Sequence, residues 1–163
     1  MSVNSKRLEM SAVLASRQRT LVPGARRPRT DDVRSLATLM FAAYQGAVDY
    51  TGESVEDAEE EIEKTFAGVY GLFLPHHSYV VESESTLVCA SLLTRPRKWP
   101  LLAFAMTAPD WKRLGLARAT IGNAMQDLFE AGESRLELVV NVKNQPAIDL
   151  YAILGFKATS SEA

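Results

Sequence analysis

Hydrophobic positions recur along this chain with two alternating periods, and the switches between them mark its elements. Val33, Leu36, Ala37, Met40, Phe41 and Tyr44 repeat at intervals of three and four, which predicts a helix over Asp31–Tyr44. Thr30 is placed to cap it through its hydroxyl, with Asp31 and Asp32 at the favourable end of the helix dipole. Val55, Ala58, Ile62, Phe66 and Val69 make the stripe of a second helix over Val55–Val69. Its other face is acidic, carrying Glu56, Asp57, Glu59, Glu60, Glu61 and Glu63. The pattern then shortens to strands at Ser78–Glu82, Leu87–Thr94 and Leu101–Thr107. Glu84-Ser85 turns the first into the second, and Arg95–Lys98 leads to the third. Such short links favour antiparallel neighbours. Leu101–Met106 is apolar at every position, the mark of a central strand covered on both faces.

Strand then alternates with helix. Leu116–Ala131 is predicted helical with Gly132 as its terminator, Arg135–Val142 is a strand, and Pro146–Leu154 is a short helix closed by Gly155. The sequence therefore predicts an α/β fold with a mixed, mostly antiparallel sheet flanked by helices. Residues 1–29 form a lead-in, in which Ala12–Leu14 and Thr20–Val22 are the pieces able to pair and Pro23-Gly24 marks a bend. Residues 30–163 form the main domain.

Composition narrows the function. The chain has 163 residues, 18 basic and 20 acidic, with 47% hydrophobic residues. That suits one ordinary globular domain and argues against a dedicated nucleic-acid binder. No apolar run is long enough to span a membrane. The lone Cys89 excludes an intrachain disulfide and a cysteine-cluster zinc site, and His76-His77 alone is a thin ligand set, so no metal is expected. A lone thiol and no signal-like apolar segment point to the cytoplasm. The net charge of −2 hides a split: residues 1–34 carry +5, residues 35–87 carry −9, and residues 88–163 carry +2. A charged ligand would meet a gradient.

The chemistry concentrates in two stretches. Pro109–Arg118 joins a strand to a helix start, where unpaired N–H groups and the helix dipole favour an anion. Gly115 and Ala117 leave room for a ligand to approach the backbone, and Lys112, Arg113 and Arg118 add positive charge. The stretch lacks both the Gly–Lys–Ser/Thr ending of a Walker A loop and the three glycines of a dinucleotide fingerprint. The second stretch is Asn144, Pro146-Ala147, Leu150-Tyr151 and Gly155-Phe156.

Together the two stretches resemble the GNAT superfamily of acyl-CoA-dependent N-acyltransferases. The family's diphosphate loop reads Gln/Arg, two residues, Gly, one residue, then Gly or Ala; here it stands as Lys112, Arg113, Leu114, Gly115, Leu116, Ala117. Its later Asn, Leu-Tyr and Gly-Phe signature is met by the second stretch. The resemblance implies acetyl-CoA as co-substrate, with its diphosphate on the Arg113–Arg118 backbone and its pantetheine arm in a gap between Ala105-Met106-Thr107 and Leu138–Asn141. It implies that Asn144 holds that arm or caps the next helix, that the backbone near Met106 or Thr107 stabilises the oxyanion, and that Tyr151 protonates the departing thiolate. The acceptor would be a primary amine of a small molecule or peptide.

Two departures accompany the resemblance. The thioester strand carries no acid, so the candidate bases are Glu82, Asp49 and Glu53, with Tyr44 and the two histidines behind them. Only seven residues follow Phe156, so the sheet edge is short, or is completed by the lead-in or by a second copy; an open edge predicts homodimerisation. The rival reading is a non-catalytic acyl-CoA-binding regulatory module, which the missing strand carboxylate favours.

Overall fold

In the computed structural model, residues 6–47 and 50–159 are described. Eight strands make one sheet: β1 (Arg7–Val13), β2 (Ala25–Arg26), β3 (Leu72–Phe73), β4 (Tyr79–Ser83), β5 (Thr86–Arg95), β6 (Leu101–Thr107), β7 (Arg135–Asn141) and β8 (Lys157–Ala158). Four helices flank it: α1 (Val33–Tyr44), α2 (Val55–Phe66), α3 (Leu116–Glu130) and α4 (Gln145–Ile153). The sheet order is β2-β4-β5-β6-β7-β1-β8, with β3 beside β5. Every pairing is antiparallel except β6 with β7. The expected α/β fold with a mostly antiparallel sheet is the one observed.

Side-chain alternation along β5 builds a core on each face. Leu92 packs with Leu36, Met40, Ile62 and Met106 beneath α1 and α2. Its neighbour Leu93 packs with Ile121, Met125, Leu128 and Leu136 beneath α3. The strand buried on both faces is therefore β5, in which Leu87–Thr94 are all buried. The apolar run of the sequence predicts double coverage for β6 instead. In β6 only Leu102 and Met106 are buried, because its apolar run borders a cleft on one side.

Helix starts differ in how they are capped. Ser54 Oγ accepts the Asp57 N–H at 3.0 Å while the Asp57 carboxylate accepts the Ser54 N–H at 2.9 Å, a reciprocal cap that fixes the start of α2. This helix ends at Phe66, short of the expected Val69, which is exposed. The expected Thr30 cap does not form. Thr30–Asp32 makes a 3-10 turn, and the buried Asp32 carboxylate accepts the Arg29 N–H at 2.7 Å and both Arg26 terminal nitrogens at 2.9 Å. The guanidinium and a backbone donor hold Asp32 more strongly than a cap would.

The lead-in is structural. Arg7–Val13 adds to β7 over its whole length, from Arg7 opposite Asn141 to Val13 opposite Arg135, and β8 pairs on its far side. The lead-in thus fills the place beside β7, as one of the expected alternatives had it. Thr20–Val22 is not a strand. Thr20 exchanges two hydrogen bonds with the Asn123 amide, at 2.9 and 2.8 Å, so α3 satisfies the backbone that a strand partner would have taken. Pro23-Gly24 does form the expected bend. Asp127 of α3 then gathers the strap: it accepts from Arg19 at 2.7 Å, Arg27 at 3.0 Å and the Tyr79 hydroxyl at 2.7 Å. Among the described residues no helix is long and apolar enough to cross a membrane.

Candidate active site

β6 and β7 begin side by side and then part. Leu101 lies opposite Glu137, whose N–H donates to Pro100 O at 3.0 Å, and no further register pair joins the two strands among the described residues. The antiparallel β1 pairs with β7 on one side, and β5 with β6 on the other. The wedge between them is a cleft of about 350 Å³, the size of a small-ligand site. Its walls are Leu102–Ala105 of β6 and Leu138–Asn141 of β7.

A register shift between Leu92 and Leu93 of β5 leaves Ala103 without an opposite residue. The bulge turns the β6 backbone at the cleft wall and reverses which face Leu102 and Phe104 present. Met106 and Thr107, the expected oxyanion positions, do not line the cleft. Met106 is buried in the core under α1, and Thr107 lies opposite Cys89. The bulged Ala103–Ala105 stretch takes the wall position instead. Nothing in a six-residue apolar run signals where the extra residue falls.

Tyr151 closes the floor of the cleft. Asn144 positions it: its side chain accepts the Ala147 N–H at 3.3 Å and starts α4, two turns before Tyr151. Of the two roles weighed for Asn144, the structure displays the helix cap, and the residue also lines the cleft. The Tyr151 ring packs edge-on against Phe156, centroids 5.8 Å apart, and the residue is 9% exposed. Among the described residues its hydroxyl has no hydrogen-bond partner. Burial pushes its pKa up to about 12, so the phenol is protonated at neutral pH.

The carboxylates separate clearly. Glu53 lines the cleft. It accepts the Thr51 hydroxyl and the Thr51 N–H, which hold it below the usual carboxylate range and therefore charged. Glu82 is engaged elsewhere, accepting Arg26 Nε at 3.0 Å, and does not line the cleft. Asp49 lies outside the described residues. His76 and His77 are also absent from the lining. Tyr44, one of the further candidate bases, lines it, as do Tyr50 and Arg7, which no local motif marks. Among the described residues no cluster of His, Cys, Asp and Glu could hold a metal ion.

The Gly115 loop follows β6 at the end where the two strands diverge. Ala108 N–H donates to Val88 O at 2.9 Å, and Trp111 packs with Val22, Val88 and Cys89, so the loop has a firm base. Beneath α3, the Ser91 and Thr120 hydroxyls meet at 2.9 Å. Lys112, Arg113, Leu114 and Gly115 are exposed. Gly115 is left-handed, φ 83° and ψ 9°, directly before the right-handed Leu116, and no side chain caps the helix. Successive left- and right-handed residues turn consecutive N–H groups into one concavity, and the first helical N–H groups have no acceptor within the helix. A Cβ built on Gly115 would meet nothing within 4 Å, so this face of the loop is open.

The model of the acetyltransferase (GNAT) family matches residues 39–156, more than half of the chain. The chain belongs to the GNAT family. No curated protein sequence matches it. Solved GNAT structures share its fold at low identity. A GNAT-family protein from Novosphingobium aromaticivorans is 21% identical over 94% of this chain, with a TM-score of 0.61. A GCN5-related N-acetyltransferase from Sphaerobacter thermophilus is 16% identical over 94% of this chain, with a TM-score of 0.70. The chain spans 61% and 48% of the lengths of these two proteins. The PaiA N-acetyltransferase of Thermoplasma acidophilum, solved with coenzyme A, is 18% identical over 85% of this chain and 92% of its own, with a TM-score of 0.65.

In this GNAT chain Asn144 and Tyr151 line the cleft, whereas none of Lys112–Arg118 does. The Gly115 loop extends from β6, and the Asn144–Tyr151 stretch extends from β7. Acetyl transfer is the general activity of the family; the acceptor and the proton steps require separate argument.

Proposed function

We propose that the protein is an acetyl-CoA-dependent N-acetyltransferase acting on a primary amine. The observation that carries this reading is a protonated Tyr151, without a hydrogen-bond partner among the described residues, that lines a cleft between two strands joined by a single register pair. The open edge of β6 can receive the pantetheine amides as a strand would. Lys112, Arg113, Leu114, Gly115, Leu116, Ala117 and Arg118 suit the diphosphate: the backbone supplies an anion nest and the three cations its long-range attraction.

The co-substrate brings the activated acyl group. The bound ammonium first gives one proton to solvent, and the neutral nitrogen then forms a bond to the acetyl carbon while the carbon–sulfur bond breaks. The Tyr151 hydroxyl gives its proton to the departing sulfur, and the second proton lost by the nitrogen returns through solvent to Tyr151. Donors on the bulged Ala103–Ala105 backbone face the developing oxyanion. Glu53 attracts the ammonium form of the acceptor. Its low pKa suits that electrostatic part better than strong-base catalysis.

Purified protein incubated with acetyl-CoA and a panel of amines, with released thiol as the readout, tests this. Binding of acetyl-CoA with no thiol release for any amine would instead favour the non-catalytic acyl-CoA-binding module.

A further inference from the structure

The cleft is not the only chamber on this side of the sheet. A groove of about 420 Å³ runs between α1 and α2, and four residues line both spaces: Tyr44, Tyr50, Glu53 and Phe104. The two chambers therefore meet at a neck with three aromatic rings. Phe104 reaches it because the Ala103 bulge turns its side chain to the α1 face, where it packs with the core beneath α1 and α2. Tyr44 stands at the last position of α1. Tyr50 is held by its hydroxyl to the Glu53 carbonyl at 3.4 Å.

Beyond the neck the groove is apolar on one wall, with Met40 and Phe41, and ionic on the other. That second wall carries Glu53, Asp57, Glu60 and Glu61 against the single cation Lys64, which is already paired with Glu60 at 3.3 Å. A neck of rings passes a slender chain more readily than a branched one. A chamber with aromatic faces and surplus negative charge favours a cation at its far end.

We propose that the acceptor is an elongated, unbranched amine with two cationic groups: one amine threads the neck to the thioester cleft, and the second cation rests in the groove between α1 and α2. This rests on the acetyl-transfer reading and adds the substrate class to it. The covalent step is the one already written, at the amine in the cleft; the distal cation takes no part in bond making.

The test measures kcat/KM with acetyl-CoA for putrescine, spermidine, n-butylamine, cyclohexylamine and a tripeptide with a free N-terminus and neutral side chains. Putrescine or spermidine should exceed n-butylamine by at least about tenfold, the effect of one well-placed cation against aromatic and anionic groups. The Glu60→Gln/Glu61→Gln double variant removes two charges of the groove wall, with them the Lys64 ion pair and the carboxylate that accepts the Tyr70 hydroxyl; it should remove most of that advantage, read as the ratio of putrescine to n-butylamine in the same variant. Phe104→Leu keeps most of the buried volume and should raise cyclohexylamine relative to putrescine by several-fold, with thermal unfolding followed in parallel to establish that the fold is intact. Equal rates for putrescine and n-butylamine, an unaltered ratio in the double variant, or preference for the neutral tripeptide overturns the proposal while leaving acetyl transfer standing. No thiol release with any acceptor overturns both.

Discussion

Replacing Gly115 by alanine separates a backbone contribution to folding from a backbone contribution to anion binding. At φ 83° a β-carbon raises the local energy by about 1–2 kcal/mol. The stiffer unfolded chain offsets about 0.4–1 kcal/mol of that. Nothing lies within 4 Å of the added carbon, so no clash is added. The net loss of stability is about 1 kcal/mol, equivalent to a Tm lower by about 2–4 °C for a chain of this size.

Gly132 supplies a matched control at the other end of α3. It has φ 91° and the same empty surroundings, so Gly132→Ala should unfold at nearly the same lowered temperature. Coenzyme A should tell the two apart. In Gly115→Ala the new carbon stands on the open face of the loop, and any relaxation of φ turns the Leu116 N–H away. Losing one charge-assisted hydrogen bond is worth about 1.5–3 kcal/mol, or roughly 10–150-fold in Kd. Titration calorimetry at fixed ionic strength measures this directly, and pantetheine, which lacks the diphosphate, should bind both variants alike. A wild-type Kd for coenzyme A in Gly115→Ala, or equal losses in both variants, would falsify the assignment of the diphosphate to this loop.

Three further outcomes are expected. Tyr151→Phe removes a hydroxyl that has no hydrogen-bond partner among the described residues, so Tm should hold while kcat falls by about 10²–10⁴, the usual span for a positioned general acid; an unchanged kcat under rate-limiting chemistry would remove Tyr151 from the mechanism. Glu53→Lys should raise the acceptor's KM and leave that of acetyl-CoA within about twofold, since Glu53 lines both the cleft and the adjoining groove and is proposed to attract the acceptor; steady-state kinetics with each substrate varied in turn decides it. Burial alone would raise the Asp127 pKa, but the hydrogen bonds from Tyr79, Arg19 and Arg27 outweigh it and the group lies below its usual value. A depressed folded pKa contributes stability above the unfolded value, near pH 4, which is lost as pH falls through the folded value. Denaturant titrations from pH 6 downward should therefore show a shallower acid loss in Asp127→Asn than in the wild type.

The amino-acid sequence by itself determined what local periodicity and local backbone chemistry can determine. The starts of α2 and α3, the extents of β5 and β6, and the strand–loop–helix setting of Gly115 were legible to within a residue or two. Tyr151 stood out through its neighbours Leu150, Gly155 and Phe156. Tertiary structure alone decided the rest, because each remaining feature depends on partners distant in the chain. The N-terminal β1 inserts between β7 and β8, more than a hundred residues away, and β7 keeps a single register pair with β6 among the described residues, with the cleft between them. The partly exposed apolar run of β6 looked like a buried strand because periodicity counts apolar positions and cannot tell a core wall from a ligand wall. Glu82 and Glu53 are both candidate bases in the sequence. Arg26 takes the first, the cleft receives the second, and only the path of the chain in space separates an ion pair from a cleft-lining residue.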